Sequence, residues 1–201
     1  NSRNENSGYG KLETFRGDVL SETDVEALFD KAESMHGGVD LLVNNAGVAV
    51  PGPTHELSVD DFDYVMRVNV TGPFICARAA VKKMRAGGKG GRIINIGSIS
   101  AISPRPDSAP YTTSKFALAG LSQSLALDYR RDNIAVGIIH PGNVASNLLS
   151  EEEIEKREAA EGFISAETVA QCVLSMSSLP YNSNVLEMTV MPTRQPLVGR
   201  G

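Results

Sequence analysis

The sequence predicts an α/β protein built on a doubly wound parallel sheet, a three-layer α/β/α domain. Three observations carry that expectation. Short apolar runs of strand character alternate with longer stretches whose apolar residues recur at helical spacing. The inner runs are predominantly apolar, as strands covered on both faces are. Each run gives way at its carboxyl side to glycine or polar residues: Gly17-Asp18-Val19, Asn44-Asn45-Ala46-Gly47, Ser98 and Pro141-Gly142. No internal repeat, low-complexity segment or Pro/Gly/Ser linker interrupts the alternation, so residues 1–201 read as a single domain.

Residues 11–15 read as the first strand, after a polar segment, 1–10, that begins with Asn1 and is expected to be either disordered or discontinuous with the rest of the domain. Ser21-x-x-Asp24 opens a helix as a capping box, and Val25, Leu28, Phe29 and Ala32 give it one apolar face. A strand follows at 39–44. Ser58-x-x-Asp61 caps a second helix that runs through Phe62, Val65, Met66, Ala77, Ala80 and Met84 to a stop at Gly87-Gly88. Pro73 interrupts it: proline has no N–H for the carbonyl of Asn69 and its ring crowds that carbonyl, so the helix must kink there. Next come a strand at 91–97, a helix at 111–130 and a strand at 134–140. The charged stretch 150–161 reads as a solvated helix, capped by Ser150-x-x-Glu153, with Glu152 and Glu153 near Lys156 and Arg157. A helix at 166–179 and a strand at 185–191 complete the pattern. Residues 192–201 are too rich in proline and glycine for a helix.

Composition excludes several classes. At 41% hydrophobic and 21% charged the chain has material for a full core, and its apolar runs fall far short of the roughly 18 residues a spanning helix needs. A net charge of −5 argues against nucleic acid as partner, because phosphate backbones require clustered Lys and Arg. Cys76 and Cys172 both sit in apolar helical patterns, which points to core thiols and a reducing, cytoplasmic setting instead of a secreted disulfide. His36, His55 and His140 are far apart and no Cys/His cluster has metal-ligand spacing, so no metal site is expected.

Ligands of open parallel sheets bind beyond the carboxyl ends of the strands, so the chemistry is sought there. Tyr111 and Lys115 lie four apart at the start of a helix and therefore share a face. A phenol with a pKa near 10 is a poor base at neutral pH, and a cation beside it moves that value toward the range in which general acid/base catalysis works. Ser98, at the end of the preceding strand, is suited to hold a substrate oxygen beside the phenol. Asp18 either accepts from a ligand, with Val19 packing nearby, or simply starts the turn before Ser21. Gly47 permits close approach of a ligand or a second backbone segment.

Taken in order, Asn44-Asn45-Ala46-Gly47, Asn69, Ser98, Tyr111-x-x-x-Lys115 and Pro141-Gly142-x-Val144-x-Ser146 resemble the short-chain dehydrogenase/reductase family across residues 11–191. The resemblance implies a Rossmann-like fold and a nicotinamide dinucleotide, NADP or NAD, lying over the strand ends. It implies hydride transfer to or from a secondary alcohol or carbonyl. Tyr111 is then the proton donor or acceptor, Ser98 polarises the substrate oxygen, and Lys115 holds ribose hydroxyls while lowering the phenol pKa. Asn69 offers its freed carbonyl to a water linked to Lys115. Asp18 and Val19 meet the adenine, Asn45, Ala46 and Gly47 lie along the cofactor, and Pro141, Gly142, Val144 and Ser146 meet the carboxamide. Ser146 stands where the family has threonine, which keeps the hydroxyl.

One family feature is missing from these residues: a first strand followed by Thr-Gly-x-x-x-Gly-x-Gly, whose helix N-terminus receives the pyrophosphate. Gly8-Tyr9-Gly10 precedes a strand instead of following one. The N-terminal strand-helix-strand unit is therefore expected to be omitted from the sequence shown. Arg3 is read either as a contact for a 2′-phosphate, which tilts the expectation toward NADP, or as part of a solvated polar segment. Residues 147–165 resemble the substrate loop and suit a small or medium substrate with an apolar part. The helices at 60–86 and 111–130 resemble those that pair subunits, implying a homodimer or homotetramer. The alternative function is a non-catalytic dinucleotide-binding or scaffold protein of the same fold.

Overall fold

The computed structural model describes residues 12–145, 155 and 158–197. Its parallel sheet has the order β1-β2-β3-β4, with β1 at Leu41–Asn44, β2 at Gly91–Ile96, β3 at Ile134–Pro141 and β4 at Glu187–Val190. The register pairs Leu41 with Arg92, Gly91 with Ile134 and Ile138 with Glu187. Helix α1 spans Glu22–His36, α2 Val59–Met66, α3 Gly72–Gly87, α4 Ala109–Asp128 and α5 Ala166–Ser177.

Two apolar layers sandwich the sheet. Ile93, Ile134 and Val136 point to one face and pack with Val25 and Phe29 of α1, Ile75, Ala80 and Met84 of α3, and Leu125 of α4. Ile94 and Ile139 point to the other face and pack with Met176 of α5. The period-two alternation of strand side chains thus sends neighbouring isoleucines into opposite cores, which is why the inner strands are apolar on both faces and show no apolar/polar alternation. Gly137 admits the Met176 methyl: a Cβ there would come 2.8 Å from it.

The cap of α2 forms as the sequence predicts, whereas at α1 only half of the expected box is made, because the Asp24 carboxylate accepts from the Asp18 N–H instead of the Ser21 N–H. Ser21 accepts from the Asp24 N–H, and Ser58 and Asp61 make a reciprocal capping box. Gly37 and Gly88 close α1 and α3 in the left-handed conformation that glycine adopts without penalty.

Two local features differ from expectation. Residues 12–15 form no strand, and Leu12 is 76% exposed. A strand exists by virtue of a ladder, and among the described residues β1 pairs only with β2, so this segment has no neighbour to complete one. It runs beside α1 instead, where Lys31 pairs with Glu13. The kink before Pro73 takes the form of a π-turn, Arg67–Thr71, in which the Gly72 N–H reaches back to the Arg67 carbonyl. The solvated helix expected at 150–161 falls largely outside the described residues, of which Glu155 and 158–160 have helical backbone.

Candidate active site

A cleft of about 710 Å³ opens at the carboxyl ends of β1, β2 and β3. Asn45 and Gly47 line one side, Gly97, Ser98, Tyr111 and Lys115 the centre, and Pro141, Gly142 and Val144 the other side. Segments separated by almost a hundred residues converge because parallel strands all end at the same edge.

Lys115 lies one turn beyond Tyr111 in α4, with its ammonium 5.4 Å from the centroid of the tyrosine ring. Lys115 is 5% exposed, and its Nζ donates to the Ile96 carbonyl at 2.9 Å. Burial pulls its pKa down from 10.5 to about 8. The ammonium is therefore still mostly charged at neutral pH, at a cost of about 3 kcal/mol relative to an exposed lysine. Ser98 caps the 3-10 turn Ile99–Ala101, and its Oγ accepts from the Ser100 N–H at 3.1 Å. This fixes the side chain and leaves the hydroxyl proton available to a substrate oxygen.

Asn69 is buried, and its amide is fully engaged. Oδ1 accepts from the Val48 N–H at 2.8 Å, while Nδ2 donates to the Val48 carbonyl and to Ser114 Oγ, both at 2.9 Å. The side chain thus clamps the chain that leaves β1, and a Cβ on Gly47 would lie 3.4 Å from Asn69 Oδ1 and 3.8 Å from Lys115 Nζ. Asn44 faces inward, donating to Asn95 Oδ1 at 2.9 Å; Asn95 donates onward to Ser122 of α4 at 2.8 Å. The last residue of β1 thus supports the sheet centre through partners that sequence spacing could not name.

The other residues expected to meet the cofactor are placed as follows. Asp18 starts its own turn, Oδ1 accepting from the Leu20 N–H at 2.9 Å, and it is not among the residues lining this cleft. Val19 packs on α3, where a Cβ on Gly72 would fall 2.9 Å from its Cγ2. Ala46 lies between the two cleft-lining residues Asn45 and Gly47. Beyond β3 the Gly142 N–H donates to the Val190 carbonyl, and Val144 bridges to Ile164. Arg3 and Ser146 lie outside the described residues, as does much of 147–165. Among the described residues no group of three His, Cys, Asp or Glu could hold a metal ion, and no helix is long and apolar enough to cross a membrane.

The sequence reading missed a polar group around Pro141-Gly142. The Asn143 N–H donates to Gln195 Oε1 at 2.8 Å, and both Asn143 and Gln195 donate to Glu161, at 2.8 and 3.0 Å. It also passed over His140, fully buried at the end of β3. The available signal was a histidine closing an otherwise apolar strand.

A doubly wound parallel sheet with Ser98, Tyr111 and Lys115 at its carboxyl edge defines a class of dinucleotide-linked folds. The family model for short chain dehydrogenase matches residues 2–157, and the chain belongs to that family. It is 39% identical over 140 residues to an uncharacterized oxidoreductase of Thermotoga maritima, covering 70% of this chain and 54% of the relative. It is 36% identical to glucose 1-dehydrogenase 2 of Bacillus subtilis, over 76% of this chain and 58% of the relative. It is also 36% identical to 3beta-hydroxysteroid dehydrogenase 1 of Eggerthella lenta, over 77% of this chain and 60% of the relative. The chain thus spans a little over half the length of these curated relatives. A crystal structure of a dehydrogenase/reductase from Sinorhizobium meliloti 1021 superposes with a TM-score of 0.83 at 30% identity, covering 96% of this chain and 77% of that one.

Proposed function

We propose that this chain carries the catalytic centre of an NAD(P)-dependent oxidoreductase that interconverts a secondary alcohol and a carbonyl, with Tyr111 as general acid/base. The observation that carries the reading is the buried Lys115 ammonium: it stands 5.4 Å from the Tyr111 ring and makes one hydrogen bond, to Ile96, among the described residues. A desolvated cation with N–H donors to spare suits the hydroxyls of a ribose, and Asn45, Gly47 and 141–144 give the backbone and small side chains against which a nicotinamide riboside would lie.

The bound cofactor supplies the hydride in reduction and receives it in oxidation. Tyr111 gives its phenolic proton to the carbonyl oxygen in reduction and takes it back in the reverse direction. Lys115 favours the phenolate electrostatically and so brings proton transfer into the neutral range. Ser98 donates to the same oxygen. The Asn69 carbonyl, denied an N–H by Pro73, accepts from a water linked to Lys115 and so connects the site to solvent. Arg3 favours NADP over NAD. The apolar wall formed by Ile99, Val144, Val169, Val173 and Leu174 favours a substrate with an apolar body, closer in character to a steroid than to a sugar. Exposed Phe62, Tyr64, Phe74, Phe116 and Leu127 on α2, α3 and α4 support a homodimer or homotetramer.

The test is NADPH or NADH oxidation followed at 340 nm against a panel of apolar ketones and aldehydes, with Tyr111→Phe as control. Carbonyl-dependent turnover that vanishes in the variant is expected. Tight dinucleotide binding with no turnover across the panel favours the non-catalytic reading.

A further inference from the structure

The last residue but one of β3 is His140, which is fully buried. Its Nδ1 stands 2.9 Å from the Ser98 carbonyl oxygen and 3.3 Å from the Ser98 nitrogen. The shorter contact requires the proton on Nδ1, donated to the carbonyl. On the far side of the ring Nε2 makes no hydrogen bond and lies 3.2 Å from a carboxylate oxygen of Glu187 on β4. This is not a nucleophilic triad, because the imidazole meets the serine backbone while Ser98 Oγ accepts from Ser100.

The position before Ser98 is shaped to the same ring. A Cβ at Gly97 would fall 2.6 Å from His140 Nδ1 and 2.9 Å from its Cε1, so only glycine leaves room for the imidazole. The ladder also runs out here. The Gly97 N–H still reaches the Ile139 carbonyl, and the Ser98 carbonyl turns to accept from the Ala101 N–H as the 3-10 turn begins. His140 therefore joins the end of one strand to the first residue beyond its neighbour.

We propose that His140 is a positioning residue for Ser98: seated in the space left by Gly97, its Nδ1–H anchors the Ser98 carbonyl and so aims the Ser98 hydroxyl into the cleft. The proposal rests on the reading of Ser98 as the residue that holds the substrate oxygen. The charged groups facing the ring are Glu187 from β4 and Lys115 from α4. Burial lowers the His140 pKa, the Ser98 carbonyl and Glu187 work against that, and Lys115 adds to it. Nδ1 keeps its proton in both the neutral form assigned here and the imidazolium, so the anchor survives a change of charge; only Nε2 gains or loses one.

The test compares His140→Leu with His140→Asn, whose amide nitrogen stands near the Nδ1 position, in the full chain under the 340 nm assay. His140→Leu is expected to lower kcat about 10- to 100-fold with KM changed less than about threefold, and His140→Asn to recover most of the loss. In a Ser98→Ala background His140→Leu adds no further loss. Nitrogen-15 NMR of the wild-type imidazole, assigned by the signal missing in the variant, reports the Nδ1–H tautomer. Gly97→Ala, which drives the ring aside without removing it, gives the same kcat loss and carries the assay should His140→Leu fail to fold. Equal kcat for the Leu and Asn variants, full additivity with Ser98→Ala, or an Nε2–H tautomer overturns the proposal. Full turnover by Ser98→Ala alone sinks the reading of the site as well; an essential Ser98 with an indifferent His140 sinks only the positioning role.

Discussion

The sheet buries a cation at each end, and the two are treated differently. Arg92, at the amino end of β2 and 3% exposed, donates from Nη2 to the carbonyls of Leu179, Pro180 and Ser183, tying down the turn after α5. Lys115, at the carboxyl end, has one acceptor among the described residues, the Ile96 carbonyl, and faces the cleft. A guanidinium keeps its charge whatever its surroundings, whereas a buried ammonium loses its proton more readily. The first cation closes a structure; the second is a desolvated charge held at the wall of the cleft at an energetic cost.

Replacing each in turn tests that contrast. The largest effect is expected from Lys115→Met, which lowers kcat/KM by about 10²- to 10⁴-fold while the protein melts no lower than wild type at pH 7. Relief of the buried charge offsets the hydrogen bond lost at Ile96; a variant that unfolds would make Lys115 a structural residue like its counterpart. Arg92→Met does the opposite. Three carbonyls lose their donor, so stability falls by about 2–4 kcal/mol in chemical denaturation while turnover per folded molecule is retained. A Lys115-like loss of activity in Arg92→Met would erase the distinction.

The pH dependence sharpens it further. Folded Lys115 titrates at about 8 and its unfolded form near 10.5, so the unfolded chain holds more protons between those values. The cost of Lys115 to stability is therefore full below pH 8 and lifts as pH rises toward 10.5. Over the same range the charge beside Tyr111 is lost, and kcat/KM for reduction is expected to fall as pH rises through about 8 in the free protein; a profile level to about pH 10 would separate Lys115 from the proton transfer. The smallest effect belongs to neither cation. Ser58→Ala removes one capping box on α2 and costs about 1 kcal/mol with unchanged activity, setting the scale against which Arg92→Met is judged.

What could be read from the sequence was what is local or periodic. The apolar runs gave the four strands within two residues at each end, and Pro73 located the break in the second helix, because a missing N–H acts where it stands. The same logic failed at residues 11–15, where the composition of a strand was present and a pairing neighbour among the described residues was not. Nor could it name the partners of His140 and Asn69, which lie 42 residues away at Ser98 and 21 away at Val48. Tyr111 and Lys115 were legible because four residues on a helix fix a geometry; Asn143, Glu161 and Gln195 were not, because three loops had to be folded together before their amides and carboxylate could meet.

The Gln195 contact ties the working edge of the sheet to a piece of chain past its last described strand. A Cβ on Gly142 would collide with the Gln195 side chain, and Gln195 in turn accepts the Asn143 N–H. A protease cut between Pro192 and Gln195 would leave every described strand and helix intact and still release the loop that closes one side of the cleft, so wear at this point is expected to open the cleft before it unravels the fold.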